Sequence, residues 1–159
     1  MSRVQLALRV ADLESSILFY SKLFGVEPAK RRPGYANFAI TEPPLKLVLL
    51  EGEAGAATRM DHLGVEVEET EQVTAATQRL KDAGLATFEE NDTSCCYALQ
   101  DKVWVHGPGQ EPWEVYTVKA DADVLDKAQD SVCCASGATD DTDGEKAAAS
   151  ASASSGGCC

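Results

Sequence analysis

The chain has 159 residues, 44% of them hydrophobic, with 26 acidic against 14 basic side chains and a formal net charge of −12. That length and apolar content accommodate one compact domain with a sizeable core. The acidic balance argues against nucleic acid and anionic membrane surfaces as partners, since both need a basic footprint, and no stretch approaches the roughly 20 apolar residues that span a bilayer.

The N-terminus, MSRVQLALRVADLE, reaches an acidic residue too soon for a secretion signal, so the expectation is a cytoplasmic protein with reduced thiols. VQLALRV reads as a short alternating strand, and ADLESSILFYSKLFG as a helix with Leu13, Ile17, Tyr20 and Phe24 on one face. Asp12 suits its N-cap and Gly25 its C′ stop. Strand-like runs follow at 36–40 and 46–50, separated by Pro43-Pro44.

The pattern then starts again. DHLGVEV reads as a strand, and EETEQVTAATQRLKDAG as a helix with Val73, Ala76, Leu80 and Ala83 inward, Thr70 as N-cap and Gly84 as stop. Strand-like runs follow at 86–90, 96–99, 103–106 and 113–118, the last two separated by GPGQEP. From Lys119 to Cys159 there is no aromatic residue, and Asp, Ala, Ser and Gly dominate. Such a segment buries too little apolar surface to offset chain entropy and is read as a largely disordered tail, with a short helix possible at 122–128. The domain expectation is a folded unit at 1–121 and a Cys-containing tail at 122–159. The fold class is α+β: two strand–helix–strands modules in a curved mixed sheet.

Sliding one module onto the other by 57 residues superposes Gln5 on His62, both leaving their first strand toward one face, opposite Leu6, Leu8 and Val10. The closing strands KLVLL and WEVYTV align with Glu114 opposite Leu47. Three of four inward positions then carry possible metal ligands: Gln5, His62 and Glu114. Amide oxygen, imidazole and carboxylate with open coordination positions suit a catalytic Fe(II), Mn(II) or similar ion. The bland alternative is a structural histidine and a buried carboxylate that has found a partner. His106, beside the Gly-Pro-Gly turn, is read as structural.

All six cysteines come in adjacent pairs: Cys95-Cys96, Cys133-Cys134 and Cys158-Cys159. Neighbouring cysteines close a strained ring as a disulfide, but offer two thiolates to one thiophilic atom such as trivalent arsenic. Only Cys95-Cys96 lies in sequence that reads as folded. It follows the polar run ENDTS (90–94), expected to be a mobile loop or strand edge.

QLALRVADLESSILFYSKLFG, MDHLGVEV and PGQEPWEVY resemble the vicinal oxygen chelate superfamily of glyoxalases, extradiol dioxygenases and antibiotic-resistance proteins, over about residues 3 to 118. SCCYALQDKVWVHGPGQEPWEVY is similar, more narrowly, to organoarsenical carbon–arsenic lyases and cadmium-induced proteins. The resemblance implies two βαβββ modules around a metal site, and Fe(II)- and O2-dependent cleavage of trivalent organoarsenicals such as methylarsenite or trivalent aromatic arsenicals. Carried over, the iron ligands fall on Gln5, His62 and Glu114, and the arsenic-binding thiols on Cys95 and Cys96. Gln5 departs from the two-His-one-carboxylate set of the extradiol relatives. Lys102 is a candidate for steering thiolate formation or oxygen binding by its charge, against the alternative of a solvated strand residue.

Two rival functions remain at this level. One is a non-catalytic protein that sequesters arsenite or cadmium, and the other a glyoxalase or extradiol enzyme acting on a carbon substrate. Pairing of the modules within one chain and a swap between two build the same cavity, so a monomer and a homodimer are both admitted. Cys133, Cys134, Cys158 and Cys159 either relay trivalent arsenic or are dispensable thiols. Truncation after Asp121 decides: unchanged methylarsenite turnover at low substrate concentration is the expected result, and a loss there establishes the relay.

Overall fold

The computed structural model describes residues 2–123 and Leu125. The tail cysteines, the expected disorder and most of the expected helix at 122–128 lie outside the described residues.

The repeat read from the sequence is the organising feature of the fold. The first module comprises β1 (Arg3–Val10), α1 (Leu13–Phe24), β2 (Lys30–Arg32), β3 (Tyr35–Ile40) and β4 (Leu45–Glu51). The second comprises β5 (Arg59–Glu66), α2 (Thr70–Asp82), β6 (Phe88–Cys95), β7 (Ala98–His106) and β8 (Pro112–Asp121). The eight strands form one mixed sheet in the order β2-β3-β4-β1-β5-β8-β7-β6. In each module the first strand pairs in parallel with the last, β1 with β4 and β5 with β8. The modules join within one chain through the antiparallel β1–β5 pair at the centre.

Helix α1 begins and ends where its sequence says it should. The Asp12 carboxylate accepts from Ser15 N at 2.9 Å, and Gly25 takes the left-handed conformation at φ 67° that lets its N–H reach Ser21 O. Its inner face packs on the convex side of the sheet: Leu13 and Ile17 join Val10, Phe38, Leu47 and Leu49 in one core, flanked by Leu6 and Leu8. Helix α2 is capped differently from expectation. Glu69 is the N-cap, in a reciprocal capping box with Gln72. Thr70 is already helical, and its hydroxyl instead holds the Asp101 carboxylate at 2.6 Å. Gly84 does provide the expected left-handed stop, at φ 76°. Thr77 rather than Ala83 is buried with Val73 and Ala76.

The two strands expected at 96–99 and 103–106 are one strand, β7. Cys96 and Tyr97 form the turn before it, so the sequence expectation placed a turn inside a strand. ENDTS lies within β6, which is an edge strand as anticipated. The sheet curls until its two ends meet. Tyr97 donates its hydroxyl to Pro33 O at 3.0 Å and sets its ring against Tyr35, with centroids 5.6 Å apart. Lys30 reaches Tyr97 O at 3.1 Å. A second core of Ala7, Tyr35, Val48, Leu50, Cys95 and Tyr97 fills the join.

Among the described residues no helix is long and apolar enough to cross a membrane. Phe38, at 0% exposure, is central to the α1 core. Phe38→Ala is expected to destabilise the domain by about 3–5 kcal/mol, read as a fall in the urea midpoint at unchanged m-value.

Candidate active site

The concave face of the curled sheet encloses a cavity of about 180 Å3. Gln5, His62 and Glu114 line it together, although they lie on three strands separated by up to 109 residues in sequence. Gln5 Nε2 is 3.0 Å from His62 Nε2 and 2.8 Å from Glu114 Oε1, and His62 Nε2 is 3.4 Å from the same carboxylate oxygen. Register explains the convergence. Gln5 pairs with Gly64, and Gly64 with Glu114, so the glycine lies between two of the three side chains. A Cβ at Gly64 would stand 3.1 Å from Glu114 Cγ and 3.3 Å from both Gln5 Cβ and Tyr116 Cε1. The absence of a side chain there lets the trio close.

The fourth pseudo-symmetric position is Val48, not Leu47. Gln5 pairs with Lys46 and Ala7 with Val48, which places Val48 where the second module has Glu114. Leu47 points the other way, into the α1 core. A strand alternates faces, so an alignment off by one residue moves the side chain through the sheet.

A bulge in β5 aims the histidine. Ala7 pairs with His62 while Leu8 pairs with Met60, leaving Asp61 as an extra residue. Asp61 Oδ1 thereby reaches the ring of its own neighbour, 2.7 Å from His62 Nδ1, while Arg9 Nε holds Asp61 Oδ2 at 2.5 Å. This is the carboxylate–imidazole support common around metal-binding histidines. Trp104 meets the imidazole edge-on, with centroids 5.4 Å apart. Burial alone would push His62 down, but the hydrogen bonds and charges of Asp61 and Glu114 outweigh it and raise the imidazole to about 9. Asp61 and Glu114 thus both favour the protonated ring.

Lys102 is buried at 3% exposure, contrary to the solvated alternative, and donates to Glu114 Oε2 at 2.8 Å. Burial opposes ionisation of both groups. Their mutual attraction prevails, holding Glu114 well below the usual carboxylate range and Lys102 well above the usual ammonium range. The Lys102 ammonium also feels the charge of Cys95 and Cys96.

A second network holds Gln5 from behind. Tyr116 OH contacts both Gln5 Oε1 and Glu66 Oε2, the latter at 3.1 Å, and Glu66 is held by Arg3 at 3.0 Å and Lys46 at 3.3 Å. A hydroxyl has one proton and two lone pairs. Here Tyr116 donates to Gln5 Oε1, and Gln5 Nε2 faces Glu114 and His62. With the amide turned by half a turn, Tyr116 would donate to Glu66 while accepting from Gln5 Nε2, and Oε1 would face His62 and Glu114. In that turned orientation an amide oxygen, an imidazole nitrogen and a carboxylate oxygen would face one point. Such a donor set fits a divalent ion of the Fe(II) or Mn(II) type better than a thiophilic one. Among the described residues, no group of three His, Cys, Asp or Glu side chains forms an alternative metal cluster.

The thiols lie at the other end of the same cavity. Cys95 closes β6 opposite Ala98, and Cys96 and Tyr97 both adopt left-handed conformations, at φ 54° and 59°, as in a two-residue type I′ turn. Neither residue is the usual Asn or Gly, and the left-handed region costs roughly 1 kcal/mol or more for each. The turn brings the two sulfurs to 3.2 Å, not joined as a disulfide. Cys96 N donates to Leu125 O and Ala122 N to Tyr97 O.

All six singled-out residues thus line one cavity, while His106 is exposed at the end of β7. Glu66, Lys46, Asp61, Tyr116 and Gln100 were missed. The available signals were alternation, which puts Tyr116 on the face of Glu114 and Gln100 on that of Lys102, and polar residues inside otherwise buried strands.

Residues 3–115 match the Glyoxalase/Bleomycin resistance protein/Dioxygenase superfamily, and the chain belongs to it. Its particular branch is marked by curated relatives. The chain is 75% identical over 134 residues to a trivalent organoarsenical cleaving enzyme of Thermomonospora curvata, covering 84% of this chain and 89% of that protein. It is 62% identical over 125 residues to the cadmium-induced protein CadI of Mycobacterium tuberculosis, covering 79% and 82%. Among solved structures, the Mn(II)-bound glyoxalase of Novosphingobium aromaticivorans matches with a TM-score of 0.55 at 20% identity, over 81% of this chain and 44% of that one. A homoprotocatechuate 2,3-dioxygenase variant from B. fuscum matches at 0.56 and 21%, over 76% and 33%. These two likenesses concern the fold.

Gly64→Ala is expected to push Glu114 and Gln5 apart, lowering divalent-metal affinity at least tenfold and stability by about 1–3 kcal/mol. Isothermal titration with Mn(II) and thermal unfolding measure the two effects separately.

Proposed function

We propose that this protein cleaves the carbon–arsenic bond of trivalent organoarsenicals in an Fe(II)- and O2-dependent reaction, releasing inorganic arsenite and the organic group as an oxidised carbon fragment, with arsenic trivalent throughout and O2 the oxidant. The observation that carries the reading is one cavity lined at one end by two thiols and at the other by Gln5, His62 and Glu114. The curated relatives named as organoarsenical cleaving enzymes support the substrate class.

The substrate is captured by exchange. Cys95 and Cys96 each replace one hydroxyl of the arsenical, and each hydroxyl leaves as water with the proton of the thiol that displaces it. Lys102, which feels both sulfurs, favours the thiolate form that attacks. Arsenic keeps its organic group, and the remaining cavity wall offers Ala39, Val48 and Val118 to it. The two cysteines fix the arsenic so that its carbon faces the opposite end of the cavity, where orientation lowers the barrier. Fe(II) held by Gln5, His62 and Glu114 would supply dioxygen binding and redox chemistry at that end. Asp61 keeps the His62 ring in place, and the Lys102 ammonium keeps Glu114 ionised. The thiols must be reduced, as they are in a cytoplasm.

Anaerobic reconstitution with Fe(II), followed by methylarsenite and then oxygen, tests the whole reading. Oxygen-dependent arsenite is expected; bound but unchanged methylarsenite would select sequestration instead. Cys95→Ser and Cys96→Ser are each expected to abolish turnover with iron stoichiometry retained. His62→Ala and Glu114→Ala are expected to lose the iron, measured by metal analysis after desalting. Full turnover by Cys95→Ser would refute the clamp, and unchanged iron in both ligand variants would refute the metal site.

A further inference from the structure

Gln100 has a role in neither end of the site as described, yet it lies between them. Ala98, Gln100, Lys102 and Trp104 follow one another along the inner face of β7, each two residues and about 7 Å from the next. Ala98 is opposite Cys95, and Lys102 is bonded to Glu114. Gln100 is 4% exposed, and its Nε2 donates to Cys95 O at 3.1 Å, which fixes which end of the amide is which. Among the described residues its Oε1 is buried without a hydrogen-bond partner. A buried acceptor left unmet costs about 1–3 kcal/mol, so a donor on a molecule held against Gln100 in this cavity would gain by meeting it.

The proposed clamp chemistry says which donor. A monosubstituted trivalent arsenical has two hydroxyls, and both leave as water when two thiols bind. Its arsenic then carries two sulfurs and one carbon, with no hydroxyl left. Inorganic arsenite has three hydroxyls: two leave as water with the two thiol protons, and the third stays on arsenic. No electrons are transferred in either exchange, and arsenic remains trivalent. We infer that Gln100 Oε1 accepts a hydrogen bond from that remaining As–OH, which makes Gln100 a residue that distinguishes inorganic arsenite from the organoarsenical on the same pair of thiols. The inference rests on the clamp reading above. Its consequence is that arsenite, the product, is recognised by a contact that the substrate lacks.

The test uses the full chain with Cys133, Cys134, Cys158 and Cys159 changed to Ser, so that only the Cys95-Cys96 pair binds. Arsenite and methylarsenite affinities are measured by titration calorimetry for this protein and for its Gln100→Met and Gln100→Glu variants. Methionine removes both the acceptor and the hold on Cys95 O, whereas glutamate removes the hold and keeps an acceptor. A purely structural role therefore shifts both ligands together in both variants. The expected result is a fivefold to tenfold loss of arsenite affinity relative to methylarsenite in Gln100→Met, and little change in that ratio in Gln100→Glu. A ratio unchanged in Gln100→Met, or lost equally in both variants, overturns the inference while leaving the clamp standing. If the parent protein fails to bind methylarsenite at all, the clamp itself has fallen and this inference with it.

Discussion

Everything in the cavity depends on the antiparallel pairing of β1 with β5. These are the first strands of the two modules, and their pairing sets two equivalent positions, Gln5 and His62, side by side on the concave face. Because β8 then adds in parallel to β5, its second residue after Pro112 arrives beside Gly64 with its carboxylate in reach of both. The constraint is one of crowding. Six ionisable side chains, Asp61, His62, Glu66, Lys102, Glu114 and Tyr116, are wholly or largely withdrawn from solvent, and each has to be met by another. The Lys102–Glu114 pair, the Asp61–His62–Glu114 chain and the Tyr116–Glu66 network are the consequences of that one demand.

Much of this was legible in the sequence, and the reason is the repeat. A constant offset between modules carries Gln5 onto His62 without any knowledge of the fold, and helix α1 announces its own ends through Asp12 and Gly25. What was illegible shares a physical cause: it depends on register or on turns that lack their usual residues. The alignment with Leu47 missed Val48 by one step, which in a strand is the difference between two faces. Cys96-Tyr97 contains no Asn or Gly, so nothing in it signals a type I′ turn, and the run reads as strand. Lys102 looks like any lysine in a strand, and only the arrival of Glu114 from another strand makes its burial affordable. Thr70 is a good cap by composition, but Asp101 from β7 claims its hydroxyl.

The two ends of the cavity are chemically unlike, and the fold keeps them so. The nitrogen and oxygen donors sit on central strands, where bulge and register position them. The sulfurs sit at the closing hairpin, where β6 and β7 meet the β2–β3 end of the first module through Tyr97, Pro33, Tyr35 and Lys30. Lys102 stands between, bonded to one end and electrostatically coupled to the other. Closure of the curled sheet and assembly of the site are therefore the same event.

The hairpin turn carries a further consequence. For folding alone, Asn-Gly would serve better at Cys96-Tyr97, since both positions need positive φ. Directed evolution or consensus redesign that selects only for heat resistance would drive this pair toward such residues, and each gain in melting temperature there would remove a sulfur or the ring that latches the hairpin shut. A library screened for thermal tolerance should therefore hold positions 96 and 97 fixed, because they are where robustness and reactivity pull the chain in opposite directions.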